Sequence, residues 1–358
     1  MIGVLGASGA VGRQAVRALR DSGTGPLRLG ARRTSALSAA DGEVRTVDVN
    51  DAGSLKEFCA GLTVLLNCAG PTYALQERMA LAALAAGAHY VDVGGDDPVH
   101  ERLTAAGAVT GDATVVLSAG ALPGLSALVP RWLAARWPDG DRLVCLAGGL
   151  EKCTPTVAEE ILLSLSVGGA YGEPFGRPLA AWRNGRRALR VLRTIEDEQL
   201  PDFPDRAMLQ PILTAESERL AVMLRLDELD FFNVYPGPRV RALFAQLPSL
   251  AAQGRGDLVQ RIVTAGDVDL AGRDPYYRMR FTLGGPGGEH TAVVSTGSSY
   301  RLTAAVGVLA VRAVVDGELP AGLHFGGDVL DPGWAVEEIN RTGAADITVL
   351  DDVDEGVL

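Results

Sequence analysis

The sequence predicts an α/β protein: a doubly wound parallel sheet at the N-terminus, then a second α+β domain containing a mainly antiparallel sheet. Three observations carry that expectation. A glycine-spaced turn, Gly6-Ala7-Ser8-Gly9-Ala10-Val11-Gly12, joins the first apolar run to a helical pattern. Short runs rich in branched residues alternate with helical stretches as far as about residue 130. After Pro130 the alternation stops, and strand-like segments follow one another through hairpin signals and long insertions.

The elements follow in order. Residues 2–5 read as the first strand and residues 10–21 as the first helix. Strands are expected at 27–30, 43–47 and 64–67, then a helix at 75–86 and strands at 90–93 and 115–118. Strands separated by helices imply right-handed βαβ crossovers, the Rossmann-type arrangement. In the second region, 143–149, 188–194, 220–226, 276–283 and 291–295 read as strands. Asn184-Gly185 reads as a two-residue hairpin turn, because both residues tolerate positive φ. A long apolar helix over 300–315 is expected to pack back on the first domain. The expected division is 1–130 for the first domain, 131–297 for a substrate and oligomerisation domain that would pair two copies, and 298–358 for a returning C-terminal helix and segment.

With 358 residues, 47% of them apolar, the chain is long enough for two cores. Abundant glycine (44 residues) and only 5% aromatics suit tightly packed α/β layers. No apolar run reaches the roughly 18–20 residues that span a bilayer. The chain opens on a strand rather than on a basic, cleavable leader, the pattern of a cytoplasmic protein. Cys59, Cys68, Cys145 and Cys153 show no C-x-x-C spacing and the four histidines are scattered, so neither a disulfide framework nor a metal site is expected. A formal charge of −11 argues against nucleic acid as a partner. Lysine occurs only at Lys56 and Lys152, which narrows the search for a catalytic lysine.

The glycine turn between strand and helix is the signature of a dinucleotide site. Gly6, Gly9 and Gly12 let the backbone of Ala7, Ser8, Ala10 and Val11 approach a pyrophosphate at the positive end of the helix. The second strand then selects the cofactor. Sites for NAD usually end it with a carboxylate that holds the ribose 2′-hydroxyl, whereas here it ends in Arg32-Arg33. Two guanidinium groups suit a 2′-phosphate, with Ser8 as a further donor, so NADPH is the expected cofactor. Asp48 and Val49, after the third strand, are expected to border the adenine. Asn67, Cys68, Ala69 and Gly70, after the fourth, are expected beside the nicotinamide ribose, with Cys68 as a small packing residue rather than a nucleophile.

These segments resemble the saccharopine-dehydrogenase-like oxidoreductases. The resemblance runs through Gly6–Gly12, Asn67-Cys68-Ala69-Gly70-Pro71, the stretch Gly87-Ala88-His89-Tyr90-Val91-Asp92-Val93-Gly94-Gly95-Asp96, and Ala119-Gly120-Ala121-Leu122-Pro123-Gly124. Ala321-Gly322-Leu323-His324-Phe325 is similar to the family's closing region. The resemblance implies that the first loops hold NAD(P) and that the loops after strands five and six border the substrate. The middle region carries no recognisable array for a free amino-acid carboxylate. In length and layout the chain is similar to the thiazolinyl imine reductases of siderophore assembly lines. That likeness implies reduction of a thiazoline C=N bond on a carrier-protein-tethered intermediate, the carrier being a domain of a nonribosomal peptide synthetase.

Imine reduction needs a hydride and a proton, so a general acid is sought on the loops that follow strands four to six. Tyr73 offers a phenolic proton, with packing as its other reading. Asp96 is a second candidate, and beside it Asp97 reads as the helix N-cap before Pro98. His100, one turn on, is a third candidate or a surface histidine. Lys152 is a fourth, expected where the second domain's first strand ends. Arg177, Arg183, Arg186, Arg187, Arg190 and Arg193 make a local basic stretch, suited either to an acidic carrier or simply to solvent. Reduction of a free amino-acid or polyamine imine, and NADP(H) sensing without turnover, are the alternative functions.

Overall fold

The computed structural model describes residues 1–165, 176–250 and 255–350. The chain runs β1 (Ile2–Leu5), α1 (Ala10–Ser22), β2 (Leu27–Ala31), β3 (Glu43–Thr46), α2 (Ala52–Cys59), β4 (Val64–Asn67), α3 (Thr72–Leu75) and α4 (Arg78–Ala85). It continues through β5 (His89–Asp92), α5 (Asp97–Ala105), β6 (Thr114–Leu117), α6 (Leu125–Ala134), β7 (Arg142–Leu150) and α7 (Pro155–Leu165). Next come β8 (Arg177–Pro178), β9 (Ala181–Arg183), β10 (Arg186–Ala188), β11 (Ile195–Glu198), β12 (Ala207–Leu213), α8 (Ala215–Leu224) and β13 (Glu228–Tyr235). The remainder is α9 (Pro238–Leu250), α10 (Arg255–Leu270), β14 (Tyr276–Gly285), β15 (Gly288–Thr296), α11 (Ser299–Val315), β16 (Gly322–Phe325), α12 (Gly326–Val329), α13 (Pro332–Arg341) and β17 (Asp346–Leu350). Met1–Leu128 with Ser299–Ala344 make one compact unit, and Val129–Ser298 with Ala345–Leu358 make the other. The segment 298–358, expected to return whole to the first domain, is thus shared between the two units.

The first unit holds a parallel sheet of seven strands in the order β16-β6-β5-β4-β1-β2-β3. Its order reverses between β1 and β4, the switch point of a doubly wound fold. Strands buried on both faces read as unbroken apolar runs, and Val64, Leu65 and Leu66 of β4 are fully buried. One face is covered by α2, α4 and α5, whose Leu55, Phe58, Met79, Ala83 and Leu103 pack with Leu65, Tyr90 and Leu117. Over the other face lies α11, close to the sheet at Gly307, where a Cβ would come within 2.8 Å of Val93. The helix expected over 75–86 is α4, which begins only at Arg78; Gln76, with a left-handed φ of 54°, separates it from the short α3. The seventh strand, β16, was not among the expected strands; it pairs Phe325 with Leu117 of β6.

The second unit is built on a ten-stranded sheet whose main path is β10-β9-β13-β7-β14-β15-β17, with β12, β11 and β8 branching from β13. It is mostly antiparallel; β7 and β13 form its parallel pair. Asn184 and Gly185 take φ of 51° and 72° and turn β9 into β10, as the sequence predicts. Two expected strands are corrected. Residues 220–226 fall largely in helix α8, which Thr214 caps by accepting from the Ser217 N–H. Residues 188–194 are irregular beyond Ala188. The strands β12, between those segments, and β13, after them, were not among the expected strands.

Candidate functional site

The glycine turn is a cradle that side chains would fill. A Cβ on Gly12 would lie 2.1 Å from the Gly6 carbonyl oxygen, and one on Gly6 2.8 Å from Ala69 N. Gly6 itself holds a φ of 76°, which L side chains rarely adopt. The turn is pinned to β2 because Gly6 N and Ala7 N both donate to the Gly30 carbonyl, at 2.9 and 3.1 Å. Gly9 occupies the N-cap of α1 without a side chain to cap it. The first N–H groups of α1, at Ala10, Val11 and Gly12, are therefore left to an anion. Ser8 stands half-buried in the same turn.

Arg32 and Arg33 follow β2 directly, are exposed, and form no hydrogen bond or ion pair among the described residues. Two unpaired guanidinium groups at that strand end fit a 2′-phosphate. Val47 N donates to the Ala31 carbonyl at 3.0 Å and brings the loop after β3 alongside. There the Asp48 carboxylate accepts from Asn50 N at 2.9 Å, and Val49 packs against the core.

The loop after β4 is held by a buried polar network. Asn67 is fully buried, accepts from Ala69 N at 3.1 Å and donates to the Asp92 carboxylate at 3.0 Å. Tyr90 donates its hydroxyl to the same carboxylate at 2.6 Å, and Gly94 N donates at 2.9 Å. Burial pushes the Asp92 carboxyl above its usual value, while the donors Tyr90, Asn67 and Gly94 pull against that rise. The loop bearing Cys68, Ala69 and Gly70 is thus fixed from below. Burial, and then the Asp92 charge, raise the Cys68 thiol far above the thiolate range, which suits a packing residue and not a nucleophile. From β6, Ser118 donates its hydroxyl to Gly95 O at 2.6 Å and Ala119 N donates to Asp92 O at 2.9 Å. Three successive strand ends are laced into one platform.

Asp96 lies on that platform. It takes the N-cap position of α5, where the sequence reading put Asp97; Asp97 is instead the first helical residue. Its Oδ2 is buried and has no hydrogen-bond partner among the described residues. Burial pushes its carboxyl up to about 7, with the backbone N–H groups of Asp96 and Val99 offsetting part of the rise. Tyr73 falls in α3, and its side chain lies outside the described residues. His100 stacks its ring on Phe325, with centroids 4.8 Å apart. Lys152 follows β7 in the second unit.

The basic stretch is only partly free. Arg183 pairs with Asp230 at 2.6 Å, and Arg187 binds Glu218 through two bonds, while Arg186, Arg190 and Arg193 stay exposed with no partner among the described residues. Tyr90, Asp92 and Ser118 escaped the sequence reading as site residues. The available signal was Tyr90 and Asp92, two residues apart on β5 and so on one face of it, the second at the strand end.

Residues 2–107 match the family model of the saccharopine dehydrogenase NADP binding domain. No curated protein matches the chain. Among solved structures, saccharopine dehydrogenase (L-Glu forming) from Saccharomyces cerevisiae is similar over 98% of this chain and 99% of that chain, with a TM-score of 0.67 at 13% identity. A myo-inositol dehydrogenase from Corynebacterium glutamicum covers 98% of this chain and 99% of its own, with a TM-score of 0.48 at 11% identity. Triphenylmethane reductase from Citrobacter sp. is 26% identical over 30% of this chain and 44% of its own, with a TM-score of 0.26. The likeness to the yeast enzyme is one of fold. The first unit contains a saccharopine dehydrogenase-type NADP-binding domain, and NADPH is its cofactor.

Proposed function

We propose that the protein is an NADP-dependent oxidoreductase that reduces a C=N bond, and that its substrate is a thiazolinyl imine carried on an acidic carrier protein. The observation that carries the reading is Asp96, a carboxyl raised to about 7 with a buried oxygen that has no hydrogen-bond partner among the described residues. A group with that pKa is protonated in a useful fraction near neutral pH and can release its proton in the reaction.

NADPH, when bound, supplies the hydride. The glycine turn and the N-terminus of α1 would hold the pyrophosphate, and Arg32 and Arg33 would hold the 2′-phosphate. Asn67, fixed by Asp92, holds the loop after β4 that would border the nicotinamide ribose. With the hydride on the imine carbon, the C=N π electrons would become the nitrogen lone pair, and Asp96 would donate the proton that makes the amine. Solvent then reprotonates the Asp96 carboxylate. The unpaired Arg186, Arg190 and Arg193 offer a basic surface for an acidic carrier.

The experiment follows NADPH oxidation with a thiazoline thioester mimic beside free imino acids and polyamine imines. Turnover of the thioester in preference to the others is expected. Preference for a free imine would move the substrate to that class, and no turnover with any of them, despite tight NADPH binding, would favour a sensor. In the active assay Asp96→Asn should lower kcat by about 10²–10⁴ with little change in NADPH affinity. The wild-type rate should fall as pH rises through about 7, since the donor must be protonated, and the variant should lose that limb.

A further inference from the structure

We infer that Arg13 is a third guanidinium of the 2′-phosphate clamp, a cofactor-specificity residue that completes the pair Arg32 and Arg33. The inference rests on the assignment of NADPH to the first unit. The turn is tied to the second strand by the two bonds from Gly6 N and Ala7 N to Gly30 O, which brings Ser8 beside the chain that continues into Arg32. Arg13 ends the first turn of α1, and its side chain runs back towards the helix N-terminus, where its Nη1 donates to the Ser8 carbonyl oxygen. The residue is exposed, and its other N–H groups have no partner among the described residues. One donor therefore anchors the guanidinium over the turn, and the others remain for an anion.

Electrostatics argues in the same direction. A cation in the first turn of a helix opposes the helix dipole, so the charge is unfavourable there unless an anion joins it. A side chain needed only to brace the Ser8 carbonyl would not have to be charged. Asp48, on the loop after the third strand, accepts from Asn50 N and makes no ion pair with Arg13, Arg32 or Arg33 among the described residues. None of the three guanidinium groups makes an ion pair among the described residues; Arg13 lies on the Ser8 turn, and the Gly30 bonds tie that turn to the strand that continues into Arg32 and Arg33. A phosphate dianion on the adenosine ribose answers that charge, and the bare 2′-hydroxyl of NADH does not.

Calorimetric titration of the full chain with NADPH, NADH and 2′,5′-ADP tests this. For Arg13→Ala the Kd of NADPH and of 2′,5′-ADP should rise about tenfold while that of NADH stays within about twofold. Arg13→Lys should recover part of the loss, because it keeps the charge. Arg32→Ala with Arg33→Ala is the reference and should show the same selective loss. Equal weakening of NADPH and NADH by Arg13→Ala would make Arg13 a brace for the turn and overturn the inference. Unchanged affinities would overturn it as well, while the reference variant's selective loss left the NADPH assignment standing. A wild-type protein that binds NADH as tightly as NADPH would overturn both.

Discussion

Asp96 concentrates a conflict between stability and chemistry in one side chain. Its folded-state pKa, raised to about 7, lies above the ordinary value of 3.8, so the folded protein holds this proton more tightly than the unfolded chain. Stability linked to the group is therefore fully present below about pH 4 and is lost as pH rises towards 7. Replacing the carboxyl with an amide removes that loss. Asp96→Asn should thus melt higher than wild type at pH 8, and the difference should shrink at pH 5, as followed by thermal unfolding. A pH-independent difference would mean that the carboxyl is not buried as described. At this scale the sequence was informative where chemistry follows from residue type alone. The NADPH cofactor could be read because cations, Arg32 and Arg33, stand where a carboxylate is usual at that strand end. Asp92 and Tyr90 could not, because their meaning lies in Asn67 and Gly94, which only the parallel pairing of β4 with β5 brings to them.

Among the elements, the β1-turn-α1 unit has the least freedom. A methyl group on Gly12 meets the Gly6 oxygen, the Ala7 Cα and the Gly6 carbonyl carbon, all backbone atoms of the turn proposed to hold the pyrophosphate. Gly12→Ala should therefore destabilise by about 1–3 kcal/mol and abolish NADPH binding together, a combined loss that melting and titration would read. Unchanged binding would place the pyrophosphate elsewhere. The first unit's strands were legible because burial on both faces leaves short apolar runs with no competing period. In the second unit the signal was ambiguous. Leu220, Ala221 and Leu226 are buried and gave 220–226 the look of a strand, yet the Thr214 cap, Glu216 and Glu218 in the first turn make it the end of a helix. β16 was legible only as a stretch similar to the family's closing region, since its partner β6 lies about two hundred residues earlier in the chain.

Across the whole molecule, charge is the feature most easily misread from sequence. A net charge of −11 makes the stretch from Arg177 to Arg193 stand out, but Asp230 and Glu218 neutralise Arg183 and Arg187 in the folded chain. On the proposed carrier-bound reading, the steering surface would be Arg186, Arg190 and Arg193, which have no partner among the described residues. Reversing their charge should raise KM for a carrier-loaded substrate and leave a small thioester mimic almost unchanged, an effect that weakens as salt rises past about 0.1 M. Equal losses on both substrates would exclude a docking role for this surface. The central claim is hydride transfer from NADPH to the carbon of a C=N bond, and isotope transfer tests it most directly. With NADPH deuterated at the transferring C4 position, the reduced product should carry one deuterium on the carbon bonded to nitrogen, at a single face. Product without deuterium there, or NADPH oxidised with no C=N bond reduced, would contradict the account.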